Sequence, residues 1–309
     1  MNFEIDYLLI AGNGFDMDLG LKTSYKDFFE SDEWKHMCDG QKKGKSHPSL
    51  IDYIEEKRKN KEGYWYDLEQ TMLDYVLPRK DGTFVNNADE DKKDYDTICN
   101  TLVEYLCNLF WKEPNIVAQK MMNSYAGDLL YAFFDPLNSG RNILYTFNYT
   151  PLEIIYGIVG GWPTTAEYYN IHGGISKDDF FKKKYDGSSI ILGIMTDKEI
   201  APGYSFMVKS HHPKYCRSNI EQDLITAHHV CIFGHSLNQI DFGYFEGYFK
   251  MLTSYTEKKR DLIIITKNKK TKGELLDNLE KMEISIEDVF EHALVKFAFT
   301  DNQKKRKRR

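Results

Sequence analysis

The chain has 309 residues, and its 47 acidic and 41 basic side chains give a formal net charge of −6. Hydrophobic residues make up 41% of the sequence, which is enough for a full core and excludes wholesale disorder. A net acidic chain argues against nucleic acid as the main partner. The five cysteines are scattered and form no C-x-x-C pair, so the sequence indicates neither a zinc ribbon nor a disulfide framework.

No apolar run approaches the roughly 20 residues that span a bilayer, and the first residues lack the basic stretch of a signal peptide. We therefore expect a cytoplasmic protein in a reducing compartment, with no membrane partner. The basic run Lys304–Arg309 is predicted to be a disordered, solvated tail. Nucleic-acid contact, if it occurs, is expected only through this tail.

Short apolar runs rich in β-branched and aromatic residues predict seven strands: Asp6–Ala11, Asn142–Phe147, Tyr168–Ile171, Ser189–Leu192, His229–Phe233, Leu262–Thr266 and Leu294–Phe299. Several of these runs are continuously apolar, which is typical of strands buried on both faces of a parallel sheet. Helical periodicity lies between them. The predicted class is α/β, with a Rossmann-like, mostly parallel sheet and helices on both of its faces.

The long segment between Ala11 and Asn142 has little strand character, although a crossover between parallel strands needs only one helix. We therefore predict a large helical insertion after the first strand, at about residues 31–135, within a single domain of residues 1–303. Its apolar periodicity predicts helices over Ser49–Lys59, Tyr64–Leu77, Tyr95–Trp111 and Asn115–Phe134. In the second of these, Trp65, Leu68 and Met72 have the spacing of a core stripe, while Glu69 could reach a ligand crevice.

The first predicted strand runs directly into Gly12-Asn13-Gly14-Phe15-Asp16. Glycines let a chain turn sharply and let backbone N–H groups approach a phosphate at the start of a helix. The third glycine of the dinucleotide fingerprint is missing, and a carboxylate repels a pyrophosphate unless it faces away or binds ribose. A purely structural turn therefore stays open. Thr23 or Ser24 could cap the next helix, which is expected to run through Phe28, with Asp27 completing a capping box from Ser24.

Polar residues also follow three later strands. Asn148 can hold a sugar hydroxyl or a water, or can satisfy loop backbone, and His172 suits either a general base or a hydrogen-bonded structural residue. Because the carboxyl ends of parallel strands share one edge of the sheet, we expect these residues to converge on one crevice. The four converging strand ends are Gly12–Gly14, Asn148, His172 and Gly234–Ser236, and Thr146 and Asp241 lie beside them in the sequence.

Six segments in a fixed order span most of the chain: Gly12–Asp16, Gly20–Tyr25, Trp65–Glu69, Thr146–Tyr149, His172-Gly173, and Gly234–Leu237 with Asp241. In this order they resemble the AbiH family of bacteriophage abortive infection proteins. The resemblance implies an anti-phage protein that responds to a phage-derived trigger and can form homo-oligomers.

The same order is similar, more remotely, to sirtuin-like NAD-binding domains. That resemblance implies NAD or a related adenine dinucleotide as ligand, with Asn148 and His172 as catalytic residues. Because the zinc-binding cysteine pairs of sirtuin deacylases are missing, no metal is expected, and an NAD glycohydrolase is favoured over a deacylase or an ADP-ribosyltransferase. A nucleotide-binding sensor without turnover is the alternative. The implied cofactor contacts are Gly12, Asn13, Gly14, Phe15, Asp16, Thr146, Gly234, His235, Ser236 and Asp241.

Overall fold

The computed structural model describes residues 5–41, 49–60, 68–79, 87–112, 114–133, 140–152, 167–196, 198–215, 219–254 and 259–301. The chain divides into two compact units, each of which is assembled from separate segments. The first unit comprises Met1–Leu21, Pro114–Ile171 and Cys216–Arg309, and the second comprises Lys22–Glu113 and His172–Tyr215. The second unit overlaps the predicted insertion but also takes in the later segment that begins at His172. Trp65 and the tail Lys304–Arg309 lie outside the described residues.

The first unit contains a sheet of six strands: β1 (Tyr7–Ala11), β2 (Asn142–Thr146), β3 (Glu167–Asn170), β4 (His229–Phe233), β5 (Arg260–Thr266) and β6 (Ala293–Phe299). Their spatial order is β3-β2-β1-β4-β5-β6, and every neighbouring pair is parallel. The predicted α/β, Rossmann-like class is confirmed.

The central strands explain why a parallel sheet forms. All five residues of β2 and the last four of β1 are buried, which fits strands covered on both faces. The flanking strands β3 and β6 are less buried because they form the two edges of the sheet. Six of the seven predicted strands are confirmed to within about two residues at each end.

The prediction of a strand at Ser189–Leu192 is wrong. Residues Gly187–Ser189 form a short 3₁₀ helix, which begins where the Asp186 side chain accepts a hydrogen bond from the backbone N–H of Ser188. Ile190 then makes only an isolated antiparallel bridge to Gly173. The apolar residues that follow are buried as core without continuing a ladder.

Thirteen named helices lie within the described residues: α1 (Asn13–Asp18), α2 (Tyr25–Glu30), α3 (Asp32–Gln41), α4 (Leu50–Asn60), α5 (Leu68–Val76), α6 (Ala88–Lys112), α7 (Pro114–Met121), α8 (Tyr125–Phe133), α9 (Lys177–Lys182), α10 (Ile220–Thr226), α11 (Glu246–Leu252), α12 (Lys269–Lys281) and α13 (Ile286–His292). In this part of the chain, none is both long enough and apolar enough to cross a membrane. The Ser24 cap is confirmed, since its hydroxyl oxygen accepts a hydrogen bond from the backbone N–H of Asp27.

The helix predicted over Asn115–Phe134 is two helices, α7 and α8. The break has a local cause, because Ser124 Oγ accepts a hydrogen bond from the N–H of Gly127 and thereby starts a new helix. Asp18 supplies a second acceptor at the same end, for the N–H of Ala126. Residue periodicity continues across such a break, so the periodicity alone did not predict it.

Candidate functional site

The candidate site lies at the carboxyl ends of β1, β2 and β4, in the first unit. β1 pairs with β2 on one side and with β4 on the other, so the strand order reverses between β1 and β4. In open parallel sheets, ligands bind outside the carboxyl ends of the strands at such a reversal. The loops that follow these three strands therefore hold the residues of interest.

The glycines of the β1 and β4 loops let the two loops pack backbone against backbone. A Cβ on Gly12 would lie 2.6 Å from the Cα of His235, and one on Gly14 would lie 2.7 Å from the Cα of Gly234. Gly234 has a φ of +65°, and a Cβ there would lie 2.4 Å from the Cα of Gly14. A side chain at any of these positions would force the loops apart.

Three backbone N–H groups of the Gly-x-Gly segment are already engaged within the protein. Gly12 donates to the carbonyl of Phe233, Gly14 to that of Gly234 and Phe15 to that of Gly12, each at 2.9 Å. A phosphate cradle needs such N–H groups directed at the ligand. The structure thus gives this segment a packing role, and its predicted contact with a cofactor stays a prediction.

A buried polar network joins the β1 and β2 ends. Asp16 is fully buried, and its carboxylate accepts hydrogen bonds from Asn148 Nδ2 at 2.8 Å and from Thr150 Oγ1 at 2.7 Å. Asn148 Nδ2 also donates to the carbonyl oxygen of Gly12 at 2.9 Å. Both neighbours of this nitrogen are acceptors, so the amide orientation is determined. The two amide hydrogens are used, and Oδ1 is the polar atom that Asn148 retains for a ligand or a water.

The other predicted residues near β1 and β2 have separate surroundings. Thr146 is fully buried and its hydroxyl oxygen accepts a hydrogen bond from the N–H of Asn148, which shapes the turn after β2. Asn13, in α1, is half-buried, and its amide approaches the sulfur of Met17. Thus Thr146 supports the network from inside.

His235 is held in one orientation by two neighbours. Its Nδ1 accepts a hydrogen bond from the N–H of Leu237 at 3.0 Å, and its Nε2 lies 3.5 Å from Asp241 Oδ2. A neutral imidazole that accepts at Nδ1 carries its hydrogen at Nε2, directed here at the carboxylate. The rings of Phe147 and Phe245 pack on it, with centroids at 4.4 and 5.0 Å. His235 therefore suits positioning Asp241 better than accepting a proton.

The end of this loop is locked by an unusual backbone conformation. Leu237 has a φ of +50° and is fully buried, so packing holds a conformation that non-glycine residues seldom adopt. The carbonyl of Ser236 accepts a hydrogen bond from Asn278 Nδ2 at 3.0 Å, and the residue itself is exposed. The hydroxyl of Ser236 is thus presented at the surface by a rigid loop.

His172 belongs to the second unit, whereas Asn148 belongs to the first. Within its unit His172 is buried, and its carbonyl accepts a hydrogen bond from the N–H of Ile191 at 2.7 Å. Gly173 has a φ of +68°, and a Cβ there would lie 2.4 Å from the carbonyl oxygen of Ser189. The glycine after His172 is needed for this close approach. That His172 and Asn148 act on one ligand stays a prediction.

Two features were missed from the sequence. Thr150 completes the Asp16 network, and its position two residues after Asn148 could have suggested it. Glu69 pairs within the second unit with Lys209, whose Nζ lies 2.9 Å from its carboxylate and which is itself fully buried. Leu68 and Met72 are fully buried, so the core prediction for them is confirmed. Across the described ranges, no group of three or more His, Cys, Asp or Glu residues could hold a metal ion.

A model of the family described as bacteriophage abortive infection AbiH matches residues 8–265, which is well over half of the chain. The chain belongs to the AbiH family. The match begins in β1 and ends in β5, so it includes the Asp16 network and the β4 loop of this AbiH protein. The protein is accordingly an abortive infection protein directed against bacteriophage. No curated protein is significantly similar to the chain.

Proposed function

We propose that this AbiH protein acts in abortive infection by binding NAD, or a related adenine dinucleotide, and hydrolysing its nicotinamide–ribose bond. The observation that carries the proposal is the order of the six parallel strands. Successive strands are added on one side of β1 up to β3 and on its other side from β4 onward, so the order reverses between β1 and β4. Dinucleotides bind at this reversal in Rossmann-like sheets. The side chains of Asp16, Asn148 and Asp241 follow the strands that meet there.

The proposed chemistry makes modest demands on the protein. A water oxygen attacks the anomeric carbon, the carbon–nitrogen bond breaks, and its electron pair leaves with neutral nicotinamide. The water proton passes to a base, and the ribose carries positive charge in the transition state. Asn148 Oδ1 orients the water or a ribose hydroxyl, and the Asp16 carboxylate behind it favours that positive charge. The sirtuin-like resemblance assigns the base role to His172.

The test is nicotinamide release from NAD by purified protein, alone and with an extract of phage-infected cells. Asn148→Ala and His172→Ala are each expected to slow release by about 10²-fold, the scale of a positioned general base or its partner. Asn123→Ala is the matched control, because it also removes an amide that donates to a backbone carbonyl, that of Gln119, but from an exposed position outside the strand-end loops. Release at the parent rate by both site variants would contradict the assignment.

A sensor without turnover is the second candidate. It is favoured by the internal hydrogen bonds of the site, since both amide hydrogens of Asn148 and three loop N–H groups are used within the protein. Such a site is rigid and leaves few donors for chemistry. Calorimetric binding of NAD without nicotinamide release, in the presence of the infected-cell extract, would favour the sensor over the hydrolase.

A further inference from the structure

Two large aromatic side chains of the second unit are exposed side by side. Trp111, near the end of α6, is 39% exposed, and Phe181, in α9, is 54% exposed. Their ring centroids lie 6.5 Å apart, and both rings pack on buried Phe180, at 4.9 and 5.1 Å. Exposed apolar side chains that stand together, rather than singly, mark an interaction surface.

The exposed part of Trp111 is hydrocarbon. Its only polar atom, Nε1, donates a hydrogen bond to the carbonyl oxygen of Phe180 at 3.0 Å. Its ring stacks on Phe180 with an interplanar angle of 29°, and the Lys183 ammonium lies over the ring at 5.8 Å from its centroid. The indole therefore offers an apolar edge to whatever covers this surface.

Three consecutive lysines follow Phe181, and all of them are exposed. Lys182 pairs with Asp178 at 2.8 Å, and Lys183 ends α9 in the left-handed conformation with a φ of +54°. Asp179, the other acid of this helix, is buried and bonds to the Ser176 cap. Asp186, which follows the lysines, is exposed and interacts electrostatically with Lys184. The three lysines therefore outnumber the two exposed acids, Asp178 and Asp186, beside the aromatic rings.

We propose that Trp111, Phe181 and Lys182–Lys184, the aromatic–lysine patch, form a peripheral contact for an anionic lipid surface. Aromatic edges enter the boundary between headgroups and acyl chains, and lysines next to them attract lipid phosphates. The sequence expectation of no membrane partner rested on the lack of a spanning run. A contact that lies on the surface needs no such run. This proposal is independent of NAD.

The geometry of the Trp111 ring favours lipid over single-stranded nucleic acid. A base stacks on an open aromatic face, and the Trp111 ring is already stacked on Phe180 with Lys183 over it.

The experiment is co-sedimentation of the full chain with vesicles of phosphatidylcholine alone and of an equal mixture with phosphatidylglycerol. The patch variants are Phe181→Ala and the triple change Lys182→Glu, Lys183→Glu and Lys184→Glu. The matched controls are Phe290→Ala, at a phenylalanine 43% exposed in the first unit, and Lys26→Glu, Lys35→Glu and Lys250→Glu, at lysines with exposed side chains. The basic tail is intact in all of them and contributes equally.

We expect binding to the mixed vesicles only, weakened at least about tenfold by the triple patch change and little by its control. A blue shift of tryptophan emission on binding should disappear in Trp111→Phe. The proposal is overturned if the parent chain does not bind the mixed vesicles, if patch and control variants bind them equally, or if a single-stranded oligonucleotide binds to the patch in place of the mixed vesicles.

Discussion

Each of the two units buries a carboxylate, and the two carboxylates have different hydrogen-bond partners. Asp16 in the first unit and Asp91 in the second are both almost inaccessible to solvent. Asp91 accepts hydrogen bonds from the backbone N–H of Leu50 at 2.9 Å and from the hydroxyls of Tyr75 and Tyr204. Asp16 instead accepts from two side chains in the loop after β2.

The difference lies in what each carboxylate connects. Asp91 caps the start of α4 and ties it to α5, α6 and the segment that carries Tyr204, so its bonds are those of a scaffold. The Asp16 network lies where parallel strands reverse their order, the edge at which ligands bind. Burial of a carboxylate therefore does not by itself indicate a ligand-binding site. Its position at the carboxyl ends of the strands, where their order reverses, does.

The largest expected effect is at Asp91. Asp91→Ala leaves a backbone N–H and two phenol hydroxyls buried without their acceptor, and should lower the free energy of unfolding by about 4 kcal/mol or more. Urea denaturation measures it. Tyr204→Phe removes one donor only and should cost about 1–2 kcal/mol. Equal effects of the two changes would show that Asp91 is not the centre of this cluster.

Gly234→Ala should come next, at about 3 kcal/mol, because the new Cβ meets the backbone of Gly14 and the residue must keep a positive φ. Gly273→Ala is its control, since Gly273 lies in α12 with open space around its Cβ position, and there alanine should stabilise by about 0.5–1 kcal/mol. Thermal denaturation compares them. A tolerated Gly234→Ala would mean that the β1 and β4 loops are not packed backbone to backbone.

Asn148→Ala should have a smaller effect on stability, about 1–2 kcal/mol, because Asp16 keeps its bond from Thr150. Unlike Asp91→Ala, this change should therefore cost little stability but weaken the binding of a ligand at the carboxyl ends of the strands. Calorimetric titration with NAD measures that loss of affinity. A loss of stability as large as that of Asp91→Ala would give the Asp16 network a scaffold role instead.

The smallest effect concerns pH. The Arg141 guanidinium hydrogen-bonded to Glu167 holds the pKa of that carboxyl below its ordinary value of 4.5. A lowered native pKa contributes stability that is present above the unfolded pKa and is lost as pH falls through the native one. Glu167→Gln should therefore flatten the acid side of the stability curve slightly, and added salt should weaken the effect. An unchanged acid slope would contradict this.

The sheet was predictable because several of its strands are continuously apolar and are followed by polar or glycine residues. The segment Ser189–Leu192 has the same composition, but its pairing with the segment that begins at His172 stops at an isolated bridge, and composition does not reveal how far a pairing extends. The site motifs were likewise visible as strand ends. The contact between Gly14 and Gly234 was not, because it joins residues far apart in sequence, and neither was the division that places His172 in another unit.

The most direct test of the central claim uses two variants of similar expected stability. Asn148→Ala lies at the carboxyl end of β2, and Tyr204→Phe lies in the Asp91 cluster. Each is titrated with NAD by calorimetry after its folded state has been verified by denaturation. If the carboxyl edge of the sheet is the ligand site, Asn148→Ala should weaken NAD binding at least about tenfold, which corresponds to about 1.4 kcal/mol, and Tyr204→Phe should bind like the parent. Equal binding by both variants and the parent, or equal loss in both, would contradict the account.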